Sequence, residues 1–100
     1  MTHQTRHIIV TGKVQGVCYR DWTVRTAKSL GLNGWVRNLT DGTVEILANG
    51  DESALDQLEQ ECRAGSPAAN VRNVISTVKD NPDDTDKGFH QKPTAAPNDQ

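Results

Sequence analysis

One hundred residues are enough for one domain with a single core and no metal or disulfide staple. A formal charge of -2 excludes a broadly basic nucleic-acid-binding surface, and 4% aromatic content leaves the core to Val, Ile, Leu and Ala, with two Trp as larger fillers. No apolar run reaches membrane-spanning length and the first seven residues lack a secretory apolar core, so the expectation is a cytoplasmic protein whose Cys18 and Cys62 stay free thiols.

Residues 6–11 form an apolar, β-branched run that predicts a buried central strand. A glycine-punctuated loop follows, with Gly12 and Gly16 spaced so that backbone amides can turn inward and Arg20 adding a planar two-pronged clamp. Such a cradle suits a phosphoryl group. Residues 21–30 predict a helix with Val24, Ala27 and Leu30 three apart, Asp21 as its N-cap and Gly31 as its stop.

Residues 34–38 and 43–48 read as two strands around the reversal Asp41-Gly42. A second helix runs from Asp51 or Ser53 to Arg63, with Leu55, Leu58 and Cys62 on one face and residues 65–67 ending it. Residues 71–78 alternate like a strand, 81–86 form a polar acidic loop, and Gly88-Phe89 begins a short edge strand. The order βαββαβ predicts an α+β, ferredoxin-like sandwich, an antiparallel sheet with two helices on one face. Residues 1–92 make the domain, and 93–100 a flexible tail.

In a strand-helix-strand crossover both strands point the same way, so their C-terminal ends share one edge. Asn38 should therefore face the glycine loop, although Arg20 is distant in sequence. Taken alone, Gly12 and Gly16 also fit simple turn chemistry, and Asn38 also fits a strand terminator. Arg20 is a poor structural choice at the positive end of a helix dipole. Cys18 reads as a packing thiol, because the cysteine phosphatase loop places five residues between Cys and Arg and here only Tyr19 intervenes. Asp21 would repel a phosphoryl dianion, and Lys13 reads as a solvated edge charge. Trp22 and Trp35 read as packing residues, and His3, His7 and His90 have no metal-ligand spacing.

The segment from Gly12 through Val14, Gln15, Gly16, Val17, Cys18 and Tyr19 to Arg20, followed by residues 31–38 and 41–45, closely resembles the acylphosphatases. The likeness covers roughly residues 6 to 90. It implies hydrolysis of the carboxyl-phosphate bond of small acyl phosphates, no metal, no cofactor, and the fold already deduced. The family's essential arginine and asparagine fall on Arg20 and Asn38. Tyr19 stands where the family commonly has Phe, which adds a hydroxyl that needs a partner. After Phe89 the chain continues His90-Gln91-Lys92-Pro93 where the family has an apolar strand, so the last strand should be short or frayed.

The resemblance implies a phosphate site made by the amides of Gln15, Gly16, Val17, Cys18, Tyr19 and Arg20 together with the Arg20 guanidinium, while Asn38 orients the attacking water. No strong general base is evident. The expected form is a monomer that binds neither nucleic acid nor membrane. A nucleotide loop is excluded because Lys13 precedes the second glycine. An RNA-binding module would need aromatic residues on the central strands, where the first strand offers Ile8, Ile9 and Val10. A noncatalytic phosphate-binding module of the same fold stays open as an alternative. The acylphosphatase-like part of larger hydrogenase maturation enzymes continues into zinc-binding cysteine clusters, and this chain has none, so it is expected to stand alone.

Overall fold

Alternation of branched apolar residues on neighbouring strands builds the central ladder. In the computed structural model, which describes residues 2–79 and 87–97, Ile8 pairs with Ile46 and Val10 with Val44, and Ile46 also faces Val36. All five are fully buried and pack with Ala27, Leu55, Leu58 and Cys62 from the helices. The elements are β1 (His3–Lys13), α1 (Tyr19–Ser29), β2 (Asn33–Asn38), β3 (Val44–Asp51), α2 (Glu52–Ala64), β4 (Asn70–Lys79) and β5 (Phe89–Gln91).

The two helices pack on a five-stranded sheet of order β4-β1-β3-β2-β5, the ferredoxin-like α+β arrangement. One correction concerns strand direction. The sheet is mixed rather than antiparallel, because β5 runs parallel to β2, with Gly34 opposite Phe89 and Val36 opposite Gln91. β1 and β2 both run antiparallel to β3, so they point the same way and their C-terminal ends meet at one edge. This is the geometry that the crossover argument requires. The acidic stretch 81–86 lies outside the described residues.

The helix-free face of the sheet carries its own polar layer. Glu45, 2% exposed, receives Arg37 Nε at 2.6 Å and lies 2.7 Å from His7 Nε2. Trp35 is covered by the Arg37 guanidinium and the Lys92 ammonium, each 4.8 Å from its ring. On the opposite face the buried Arg6 donates to Asp56 at 2.8 Å and Glu59 at 2.6 Å. Burial works against its charge, but these two carboxylates hold its pKa above the ordinary value.

α1 begins two residues earlier than the periodicity predicts, and Asp21 is not its cap. Cys18 precedes the helix in the left-handed conformation (φ 61°, ψ 25°) and makes no side-chain cap bond. Asp21 lies inside the first turn, where its carboxylate, 3.3 Å from Arg25 Nε, still suits the positive helix end. At the other end Gly31 N donates to Lys28 O and Leu32 N to Ala27 O, closing the helix where the glycine predicted it. Beyond β5, Lys92 N donates to Val36 O and Ala95 N to Asn38 O, so the chain past Pro93 runs beside β2 as far as Ala95.

The extra hydroxyl of Tyr19 has a partner. Tyr19, 1% exposed, donates to the Cys62 carbonyl at 3.0 Å, so one of the last carbonyls of α2, which has no partner within the helix, is satisfied by the first residue of α1. Burial pushes the Tyr19 hydroxyl pKa well above its usual value, and burial pushes the Cys62 thiol from 9.0 up to about 11. Tyr19→Phe should lower the unfolding free energy by about 1 to 3 kcal/mol in urea titration, since a buried carbonyl loses its donor. Both raised pKa values favour the neutral groups in the fold, so the unfolded chain ionises first. The contribution of these two groups to stability should therefore be full below pH 9.0 and be lost as pH rises toward about 11 and beyond, which chemical denaturation at stepped alkaline pH will read.

Candidate active site

The loop between β1 and α1 is shaped by backbone conformation more than by side-chain bonds. Val14 is buried and anchors it, and Gly16 then takes φ 73° where a Cβ would meet no atom within 4 Å. Conformation, not space, thus calls for glycine there. With Cys18 also left-handed, two such residues within three positions turn the loop sharply into the helix, the kind of path that converges N–H groups on an anion. Gly12 plays another part than the sequence suggests. It sits at a register shift between β1 and β4, and a Cβ there would lie 2.3 Å from Asn70 O, so its role is strand approach and not the cradle.

Because Trp22 N donates to Cys18 O, the N–H groups of Tyr19, Arg20 and Asp21 precede the first bond of the helix ladder, and the Cys18 side chain does not cap them. Their residues line a cavity of about 380 Å³ together with Val14, Gly16, Cys18, Asn38 and Gln91. The positive end of an 11-residue helix thus borders the cavity. Arg20 is half-buried beside it and makes no ion pair among the described residues, whereas Arg6, Arg25, Arg37 and Arg63 are all paired with carboxylates.

Asn38 reaches the cavity from the end of β2. Its Oδ1 is buried without a hydrogen-bond partner among the described residues, an unfavourable state for a carbonyl oxygen unless it serves a ligand. The backbone around it is held on two sides. Asn38 pairs with Val44 across the hairpin, and its carbonyl accepts from Ala95 N at 3.1 Å. In the hairpin itself Gly42 N donates to Leu39 O, and Asp41 Oδ1 accepts from Thr43 N and Thr43 Oγ1. Those two bonds from Thr43 hold the Asp41 carboxyl below its usual pKa.

Of the residues expected in the site, Gly16, Cys18, Tyr19, Arg20 and Asn38 come together at the cavity. Gln15 and Val17 do not line it. The Gln15 side chain turns away and donates to Leu39 O and Thr43 O. Sequence reasoning missed Gln91, which β5 carries to the cavity by pairing parallel with β2. The only sequence signal for it was the short apolar start at Phe89. Among the described residues, no three His, Cys, Asp or Glu side chains converge as metal ligands. The assembled groups can hold a small oxyanion and present a carboxamide oxygen to a neighbouring donor.

Comparison with known proteins converges on one family. The family model described as Acylphosphatase matches residues 6–91. An acylphosphatase of Rhodospirillum rubrum is 50% identical over 91 residues, covering 91% of this chain and 98% of that one. One of Rhizorhabdus wittichii is 49% identical over 89 residues, covering 89% and 88%. The crystal structure of acylphosphatase from Bacillus subtilis superposes with a TM-score of 0.85 at 35% identity, covering 91% of this chain and 99% of that chain. Full-length HypF in its phosphate- and nucleotide-bound form shares the fold, with a TM-score of 0.84 at 21% identity, over 13% of its own length.

The two thiols should report on the site separately. Cys18 is exposed at the cavity and Cys62 is buried in the core. A thiol reagent at neutral pH should modify one cysteine of the native protein, identified as Cys18 by peptide mass, and inorganic phosphate should slow that reaction; modification of Cys62 should await unfolding.

Proposed function

The chain belongs to the acylphosphatase family, whose reaction is hydrolysis of acyl phosphates, and on that premise we propose how its residues divide the work. The N–H groups of Tyr19, Arg20 and Asp21, which precede the helix ladder, and the Arg20 guanidinium hold the phosphoryl oxygens. As charge builds on those oxygens in the in-line transition state, donors already in place stabilise it without reorganising. The leaving group is a carboxylate, so the phosphorus-oxygen bond breaks with little acid assistance.

Asn38 Oδ1 accepts a hydrogen from the attacking water and so aims an oxygen lone pair at phosphorus. A water-oxygen to phosphorus bond forms while the bond to the acyl oxygen breaks, and the water's second proton passes to a phosphoryl oxygen. The products are a carboxylate and inorganic phosphate. The observation that carries this reading is the buried Asn38 Oδ1, which has no hydrogen-bond partner among the described residues, in the same cavity as Arg20, which has no ion pair among them, and a helix end that Cys18 does not cap.

The same reading takes the protein as a cytoplasmic monomer acting on a small substrate; Arg20 and Asn38 come from one chain, so the site needs no second copy. The formal charge of -2 and the cations covering Trp35 speak against base stacking on the open sheet face. Among the described residues no helix is long and apolar enough to cross a membrane.

Hydrolysis of a synthetic acyl phosphate in excess chelator, with a phosphate monoester for comparison, tests the division of roles. Arg20→Gln should lower kcat/KM by more than about 10³-fold and weaken inhibition by inorganic phosphate. Asn38→Ala should lower kcat by roughly 10² to 10³-fold and leave phosphate inhibition near wild type. Equal loss of phosphate affinity in both variants would refute the assignment, and turnover of the monoester alone would point to another phosphatase chemistry.

A further inference from the structure

Gln15 lies between Val14 and Gly16, both of which line the cavity, yet its own carboxamide points to the β2–β3 hairpin. Its Nε2 donates to Leu39 O at 2.8 Å and to Thr43 O at 2.7 Å. Both amide hydrogens are thereby used, and none remains for a phosphoryl oxygen. The two carbonyls form the mouth of the hairpin. Each already accepts a backbone hydrogen, Leu39 O from Gly42 N at 3.1 Å and Thr43 O from Leu39 N at 2.9 Å. Gln15 is therefore not needed to satisfy either carbonyl. Its bonds instead tie the loop to the hairpin at two points.

Those points are informative. Leu39 follows Asn38 directly, Thr43 precedes Val44, and Asn38 and Val44 face each other across the ladder. Gln15 thus grips the chain next to both members of the pair that carries the Asn38 side chain. Among the described residues Asn38 Oδ1 has no hydrogen bond to fix its direction, so its aim follows from where its backbone is held.

We propose that Gln15 is a positioning residue: by locking the phosphate loop to the hairpin mouth, its side chain sets the aim of the Asn38 carboxamide at an anion held by that loop. The inference rests on the role given above to Asn38 and adds the part that keeps the two halves of the site in register. Loss of the lock leaves the anion donors of α1 and the ties of Asn38 to Val44 and Ala95 in place, and removes the one that sets this strand end against the phosphate loop. Because a misplacement on the order of 1 Å can lower turnover by roughly 100-fold, a modest loosening is enough to register.

The experiment is a double-mutant cycle of Gln15→Met, which keeps chain length and removes both donors, with Asn38→Ala. Acyl phosphate turnover, inhibition by inorganic phosphate and thermal midpoint are measured for all four proteins. Gln15→Met should lower kcat by roughly 10-fold while phosphate inhibition changes less than about 2-fold. In the Asn38→Ala background the same change should alter kcat by less than about 2-fold, since the residue it positions is gone. Multiplicative losses in the double variant, an unchanged kcat, or a fall in phosphate affinity matching the fall in kcat would each overturn the proposal. Full kcat in Asn38→Ala would instead remove the role of Asn38 itself, a separate result. If Gln15→Met melts below the assay temperature, Gln15→Ala takes its place in the cycle under the same criteria.

Discussion

The central constraint is the antiparallel pairing of β3 with both β1 and β2. Ile46 of β3 lies between Ile8 and Val36, and Val44 lies opposite both Val10 and Asn38. Slipping either register by one residue would turn buried apolar side chains to the other face. The ladder is therefore strongly specified, and with it the direction of β1 and β2. Their shared C-terminal edge is where the loop leaves one strand and Asn38 ends the other. The site is a consequence of this register before any polar residue acts.

Upon that edge the fold keeps a helix end open. An N-cap side chain would commonly stabilise such a helix by about 1 kcal/mol, and here Cys18 offers none. Stability is recovered nearby. The buried Tyr19 ring packs against Trp22 at 5.2 Å, and its hydroxyl serves a carbonyl of α2. The same residue that opens the helix to an anion thus fastens it to the core. A parallel logic holds at Asn38, whose side-chain oxygen lacks a partner among the described residues while its backbone is tied to Val44 on one side and Ala95 on the other.

The legible parts of the sequence were those set by local chemistry. Periodicity found both helices, with Leu55, Leu58 and Cys62 on the buried face, and Gly31 marked the end of α1. Asp41-Gly42 marked the hairpin through a side-chain turn that Asp41 makes with Thr43. Errors arose where one residue type serves two purposes. Asp21 has the composition of an N-cap but stands inside the first turn, because a left-handed Cys18 starts the helix early. Gly12 has the look of a cradle glycine, yet it answers a close approach of β4 that no local pattern announces.

What the sequence determined by itself was the order of elements, the family, and the polar residues available for the reaction, because these follow from spacing and side-chain type. Only the tertiary structure decided that Arg20, Asn38 and Gln91 border one cavity, that β5 runs parallel to β2, and that the Gln15 side chain reaches the hairpin. The physical reason is separation along the chain. Gln15 is 24 and 28 positions from its two partners, and contacts of that range are set by how strands stack in the sheet. A hydrogen-bond donor carries no record of which distant carbonyl will be brought within its reach.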